Sequence, residues 1–167
     1  MLYVAYGSNL DLARMKARCP SAKVVTTGYL EDTALDFRYY ADIIPAENGD
    51  ICPVAVYDIA ESDWKKLDEA EDCPNDYIKK NVCVLNRDPA KPPTLGIAYV
   101  MRDEYRNRLK ERENYMPSIE YLSHITRGYI DHKFTDEPKY TMAFYNALMR
   151  ENLEQLIEYR NKTHPEK

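Results

Sequence analysis

Leu2-Tyr3-Val4-Ala5-Tyr6-Gly7-Ser8-Asn9-Leu10 carries a short apolar strand, a turn and the start of a helix in one run. The strand is Leu2 to Tyr6, and Gly7-Ser8-Asn9 is a strong turn signal. A helix is predicted next, with Asn9 or Asp11 as its cap and Leu10, Leu12 and Met15 on its inner side. Cys19-Pro20 ends it. Beyond that point strands follow strands: Val24 to Leu30, Ala34 to Tyr40, Ile51 to Ile59, Tyr77 to Leu85 and Leu95 to Met101. Asn48-Gly49 lies in the polar turn from Pro45 to Asp50, and a second turn spans Asp88 to Pro93. A short helix between the strands is expected to be capped by Ser62 or Asp63, to carry Trp64 and Leu67, and to break at Cys73-Pro74.

The long helices come last. Asp103 to Asn114 is densely charged and reads as a solvated segment. Pro117-Ser118 opens a helix bearing Ile119, Leu122, Ile125 and Tyr129. It has no capping box, because Tyr121 stands where a glutamate or glutamine would be needed. A final helix is predicted from about Tyr140 to Tyr159, with Phe144, Tyr145, Leu148, Met149, Leu156 and Ile157 at helical spacing. Such a stripe serves core packing or dimer packing, which leaves a homodimer open. Strands first and helices last favour an α+β fold over an alternating doubly wound sheet. About six strands in 167 residues are expected to curl into a mixed, barrel-like sheet with flanking helices and a long C-terminal helix. No linker or repeat interrupts residues 1–167, so one domain is expected.

Composition narrows the function. The net charge is −5, which disfavours binding to a phosphate backbone, and no nucleic-acid partner is expected. No apolar run reaches the roughly 20 residues of a membrane span. Met1 to Ala5 lacks the basic flank of a signal peptide, and a cytoplasmic location is the default expectation. Cys19, Cys52, Cys73 and Cys83 form no Cys-x-x-Cys pair and are too sparse for a disulfide framework. They read as reduced thiols, and His124, His132 and His164 as surface residues, so no metal site is expected. Fifteen tyrosines against three phenylalanines suit a core that lines a polar pocket.

Three groups of residues could carry chemistry. Glycine lets the backbone at Gly7 approach a ligand, and the first amides of the following helix are unpaired donors. Tyr6 to Leu10 could therefore hold a carboxylate or an oxyanion; read from residues alone, it could equally be a plain capped turn. It lacks both glycine-rich phosphate patterns, and Ser8 has no nucleophile elbow around it. In Leu67-Asp68-Glu69-Ala70-Glu71-Asp72, helical spacing puts Glu71 on the face of Trp64 and Leu67. A carboxylate among apolar side chains has its charged form disfavoured and becomes a better proton acceptor. Asp68 is its main competitor, while Glu69 and Asp72 should face water; the alternative is a solvated acidic turn. Tyr121, in the first turn of its helix, can offer a hydroxyl to a pocket or simply bury its ring.

Together these segments resemble the γ-glutamylcyclotransferase-like family, particularly its small bacterial members. Tyr6-Gly7-Ser8-Asn9 matches the family's opening loop, and Arg18-Cys19-Pro20 matches the end of its first helix. Leu67, Asp68, Glu71, Pro74 and Tyr77 match its Leu-Asp-x-x-Glu-Gly-x-Pro-x-x-Tyr stretch. Pro117, Ser118 and Tyr121 match its Pro-Ser-x-x-Tyr helix start, with Gly128-Tyr129 downstream. The order is kept over about the first 140 residues. The resemblance implies an enzyme that converts a small γ-glutamyl amine or amino acid to 5-oxoproline and free amine, without cofactor or metal. It implies Glu71 as proton carrier, the Tyr6-to-Leu10 loop as substrate cradle, and Tyr77 and Tyr121 as pocket walls. Asp72 stands where the family usually has glycine, and Asp42 where a small residue such as threonine is expected, which leaves open the alternative of a non-catalytic pocket protein that binds a small amino-acid-like ligand. A second carboxylate at Asp72 is expected to raise the pKa of Glu71 further or to restrict the backbone. Asn9 argues against the glutathione-specific branch, which resembles this chain but has leucine there. The identity of the amine half is not encoded in any of these motifs.

Overall fold

Alternating and apolar segments separated by turn residues become seven strands in the computed structural model, which describes residues 1–47, 49–111 and 116–163. For Lys110 and for residues 151–163 it describes the backbone alone. The strands are β1 (Leu2–Ala5), β2 (Lys23–Glu31), β3 (Thr33–Arg38), β4 (Tyr40–Pro45), β5 (Ile51–Asp58), β6 (Tyr77–Asn86) and β7 (Thr94–Met101). The helices are α1 (Leu12–Arg18), α2 (Glu61–Ala70), α3 (Asp103–Lys110), α4 (Ile119–Asp131) and α5 (Pro138–Thr163).

Five strands close into a barrel in the order β1-β5-β2-β6-β7. All its ladders are antiparallel except β7 on β1, a parallel bridge at Tyr3 and Ile97 that makes the sheet mixed. The expected α+β fold with a barrel-like sheet is therefore what forms, with one strand more than expected. The extra element is β4, which pairs with β3 as a separate antiparallel hairpin. β1 and β5 are buried on both faces, so they read as apolar runs and not as alternation. α5 lies along β3 and β5, and Tyr140 and Ala147 from it are wholly buried.

Several local expectations change. β1 stops at Ala5, and Ser8–Leu10 forms one 3-10 turn before α1. Asp11, not Asn9, caps α1 by accepting from the amides of Ala13 and Arg14. Leu12 faces solvent, because capping from Asp11 turns the inner face to Met15. Neither Ser62 nor Asp63 caps α2; its cap is Ala60, whose amide donates to Ser21 Oγ. Ile119 is 88% exposed, whereas Ile125 and Tyr129 are buried. The charged stretch from Asp103 is a helix with a buried edge, Tyr105 and Leu109, and its residues 112–114 lie outside the described residues. Side chains of Leu156 and Ile157 likewise fall outside them. His132 is buried rather than on the surface, bonding Tyr57 and the Leu10 carbonyl.

The opening loop is held from behind by α4. A Cβ on Gly128 would lie 2.3 Å from Leu10 Cβ and 2.6 Å from its carbonyl carbon, so only glycine allows this approach. Ser118 caps α4 by accepting from the Tyr121 amide, which fixes where Tyr121 points. No helix among the described residues is long and apolar enough to cross a membrane.

Candidate active site

α2 ends at Ala70, and Glu71 is its C-cap residue. The Glu71 amide still donates to the Leu67 carbonyl at 2.9 Å, so its side chain keeps the inward direction of Trp64 and Leu67. Glu71 reaches a cavity of ≈ 310 Å³ that is also lined by Gly7, Ser8, Asn9, Tyr77 and Tyr121. Its side chain is 18% exposed. Glu69 and Asp72 are exposed, and Asp68 is held outside the cavity by the Tyr99 hydroxyl at 2.7 Å and by Lys79.

Three side chains form a closed ring. Asn9 Nδ2 donates to Glu71 Oε1 at 3.2 Å and to the Tyr3 hydroxyl at 2.8 Å. Arg18 Nη1 donates to Asn9 Oδ1 at 2.9 Å and to Glu71 Oε1 at 3.4 Å. Both donors converge on Oε1, and among the described residues Oε2 receives no hydrogen bond. Burial raises the Glu71 carboxyl above the usual carboxylate range, while Arg18, Asn9 and Arg14 pull it back down. Asp72 is not among the groups that shift it, so the expected extra push from a like charge does not arise.

The loop residues divide between cavity and core. Gly7, Ser8 and Asn9 line the cavity, and the Ser8 and Asn9 amides open the 3-10 turn, where no earlier turn supplies a carbonyl. Tyr6 also lines it, but its hydroxyl is engaged, donating to the Tyr99 carbonyl at 2.6 Å. Leu10 departs from the expected cradle: it is fully buried under Gly128, does not line the cavity, and its amide bonds the Gly7 carbonyl. Opposite the loop, the Tyr77 hydroxyl donates to the Ala41 carbonyl at 3.1 Å, and the Tyr121 hydroxyl accepts from the Ala41 amide at 2.9 Å. Burial pushes the Tyr121 phenol up to about 12, so it is a neutral hydroxyl near pH 7.

Sequence reasoning missed Arg14 as a wall residue, and took Arg18 only as part of a helix ending. A usable signal existed: the two arginines stand at i and i+4 immediately after the loop, which puts both on one face of α1. Ala41 was missed with the rest of β4. Among the described residues no three His, Cys, Asp or Glu side chains gather as metal ligands.

The cavity therefore combines a raised carboxylate, one oxygen of which receives no hydrogen bond among the described residues, with the amides that open a turn and with neutral hydroxyls. Such a set can carry a proton and steady a developing oxyanion. Known proteins share the frame around it. An uncharacterized protein from Homo sapiens is 27% identical with a TM-score of 0.65, the match covering 78% of this chain and 79% of that one. A structure titled gamma-glutamyl cyclotransferase matches at 23% identity and TM-score 0.57, covering 76% and 98%. An Arabidopsis thaliana protein solved in solution matches at 17% and 0.50, covering 81% and 79%. The last two show the fold alone. No curated protein sequence matches the chain. The family model described as gamma-glutamyl cyclotransferase, AIG2-like, matches residues 3–122, which is most of the chain and includes the loop, Glu71 and Tyr121. The chain belongs to that gamma-glutamyl cyclotransferase, AIG2-like family.

Proposed function

We propose that the protein cyclises a γ-glutamyl amine or γ-glutamyl amino acid to 5-oxoproline and releases the free amine. The observation that carries this reading is the convergence of the Glu71 carboxylate and the Gly7-to-Asn9 turn on one cavity. Glu71 Oε2 takes a proton from the substrate's α-ammonium. The freed amine attacks its own γ-carbonyl, forming a carbon–nitrogen bond, and the turn amides stabilise the oxyanion. The bond to the amine half then breaks. Both protons shed by the attacking nitrogen end on the departing amine, which leaves as an ammonium, with Glu71 as their carrier. The attack is intramolecular, so a cavity that holds the substrate folded supplies much of the acceleration. Tyr77 and Tyr121 wall that fold in, and their neutral hydroxyls add no competing charge.

Glu71→Gln keeps the shape and removes the proton carrier. Release of 5-oxoproline from the best substrate in a panel of γ-glutamyl amines and amino acids should fall by at least about 100-fold. Survival of turnover in that variant would overturn the mechanism. Binding across the panel with no turnover by the unaltered protein would overturn the assignment as an enzyme.

A further inference from the structure

Arg14 is a cavity-wall guanidinium with capacity to spare. Its Nη1 lies 3.2 Å from His124 Nε2. Its Nε is buried and has no acceptor among the described residues. Arginine has only donors, so His124 Nε2 must accept, and the imidazole proton belongs on Nδ1. Nδ1 lies 2.7 Å from Asp11 Oδ2, a far better partner for that proton than the 3.4 Å approach of the Arg127 guanidinium to the same nitrogen. Asp11 is itself buried and fixed as the cap of α1. A chain from Asp11 through His124 thus sets the guanidinium against the cavity wall, and the carboxylate at its far end never touches it. Arg18, one turn along α1, is already engaged with Asn9 and Glu71.

The proposed chemistry needs an anion site in this position. The α-ammonium must reach Glu71, and the α-carboxylate hangs from the same carbon, so its partner must neighbour Glu71. Arg14 does: it lines the same cavity as Glu71. An arginine fork with free donors matches a carboxylate in two contacts.

We propose that Arg14 binds the α-carboxylate of the glutamyl half, with His124 and Asp11 as its positioning residues, leaving the Ser8 and Asn9 amides for the γ-carbonyl oxygen. This rests on the cyclotransferase reading. It makes the enzyme demand an α-carboxylate, whatever amine is released.

The test pairs the best γ-glutamyl substrate with its 4-aminobutyryl counterpart, which lacks the α-carboxylate and closes to 2-pyrrolidinone. Rates are taken on the high-pH plateau, because loss of Arg14 also changes Glu71. The unaltered protein should prefer the γ-glutamyl compound in kcat/KM by about 30- to 100-fold. Arg14→Gln should erase that preference, lowering kcat/KM on the γ-glutamyl compound far more than on the 4-aminobutyryl compound, and Arg14→Lys should restore part of it. His124→Gln, which can still present an oxygen acceptor, should retain more of the preference than His124→Phe. An equal fall on both compounds, or a preference that survives Arg14→Gln, overturns the assignment while the cyclotransferase reading stands. If no γ-glutamyl compound turns over, that reading fails, and calorimetry with L-glutamate and 4-aminobutyrate decides for Arg14. A preference for L-glutamate lost in Arg14→Gln sustains it; no binding of either overturns it.

Discussion

Glu71 is tuned by opposing effects of known sign. Burial disfavours its charge, and Arg18 at 3.4 Å is the first of the groups that favour it. Activity that needs the carboxylate is lost as pH falls through a pKa above the ordinary value. Removing the cation lifts that pKa further, so Arg18→Gln should move the acid limb of kcat/KM to higher pH, with the plateau less affected. A pH–rate profile reads this directly, and an unmoved limb would show that Arg18 does not act on Glu71. Asp72 tells a different story. It adopts φ 45°, the left-handed region that favours glycine, so the residue expected there on resemblance has a backbone reason. Asp tolerates that region better than most, and its Oδ1 takes a bond from Asn75 Nδ2 at 3.0 Å. Asp72→Gly should raise stability by about 0.5 kcal/mol in a thermal melt and leave the acid limb in place. Glu71 was legible because one helical bond carries spacing past the end of α2. Arg14 could have been read from its spacing to Arg18, but its contact with His124, 110 residues away, could not.

At the level of elements, the two least expected pieces explain each other. β4 hid in the sequence because Asp42 sits in the middle of Tyr40–Pro45, and a charge in a short apolar run argues against a buried strand. α3 hid because only Tyr105 and Leu109 in it are apolar. Asp42 is fully buried, accepts from the Met101 amide at 3.0 Å, and is clasped by Arg106 of α3. The strand carries a carboxylate where a small residue was expected because α3 brings its counter-ion. Removing one partner leaves an uncompensated buried charge. Arg106→Met should therefore cost about 3 kcal/mol in denaturant unfolding, and adding Asp42→Thr should recover most of that loss. Additive losses in the double variant would refute the coupling. The start of α2 has a comparable anchor. Lys66 and Ser21 hold the Asp63 carboxyl down to about 2, below its ordinary 3.8. A depressed carboxylate stabilises the fold above its unfolded pKa, and the gain is lost as pH falls towards the folded value. Asp63→Asn should thus destabilise the protein at pH 6, and the difference from the unaltered protein should shrink as pH falls and be lost below about 2.

Across the whole molecule, closure of the barrel brings Glu71 to the loop, and closure was the part of the fold least visible in the chain. Hydrophobic patterning marks strands, but it does not show that β2 meets β6 at only two residue pairs, Gly28 with Asn86 and Tyr29 with Leu85. Nor does it show the single parallel bridge from β7 back to β1. These seams fix the distance between β1, which delivers the loop, and the segment after α2 that delivers Glu71. At the first seam β2 lies almost on its neighbour. A Cβ on Gly28 would fall 2.0 Å from the Leu85 carbonyl oxygen and 2.9 Å from its carbonyl carbon. The obstacle is backbone, which cannot swing aside as a side chain can. Gly28→Ala must open the seam or move β6, and β6 begins at Tyr77, one wall of the cavity. The expected cost is about 3 kcal/mol or more in denaturant unfolding, at the upper end for overpacking. Activity should fall more than the lost folded fraction accounts for, because a displaced β6 shifts Tyr77 against Ala41. Gly96→Ala is the control. Its nearest neighbour is the Val4 side chain at 2.6 Å, and the nearest backbone atom, the Leu2 carbonyl oxygen, stands off at 3.2 Å, so the loss should be smaller and kcat largely kept. Equal penalties at the two glycines would mean that side-chain packing, not approach of the strands, sets the geometry of the site.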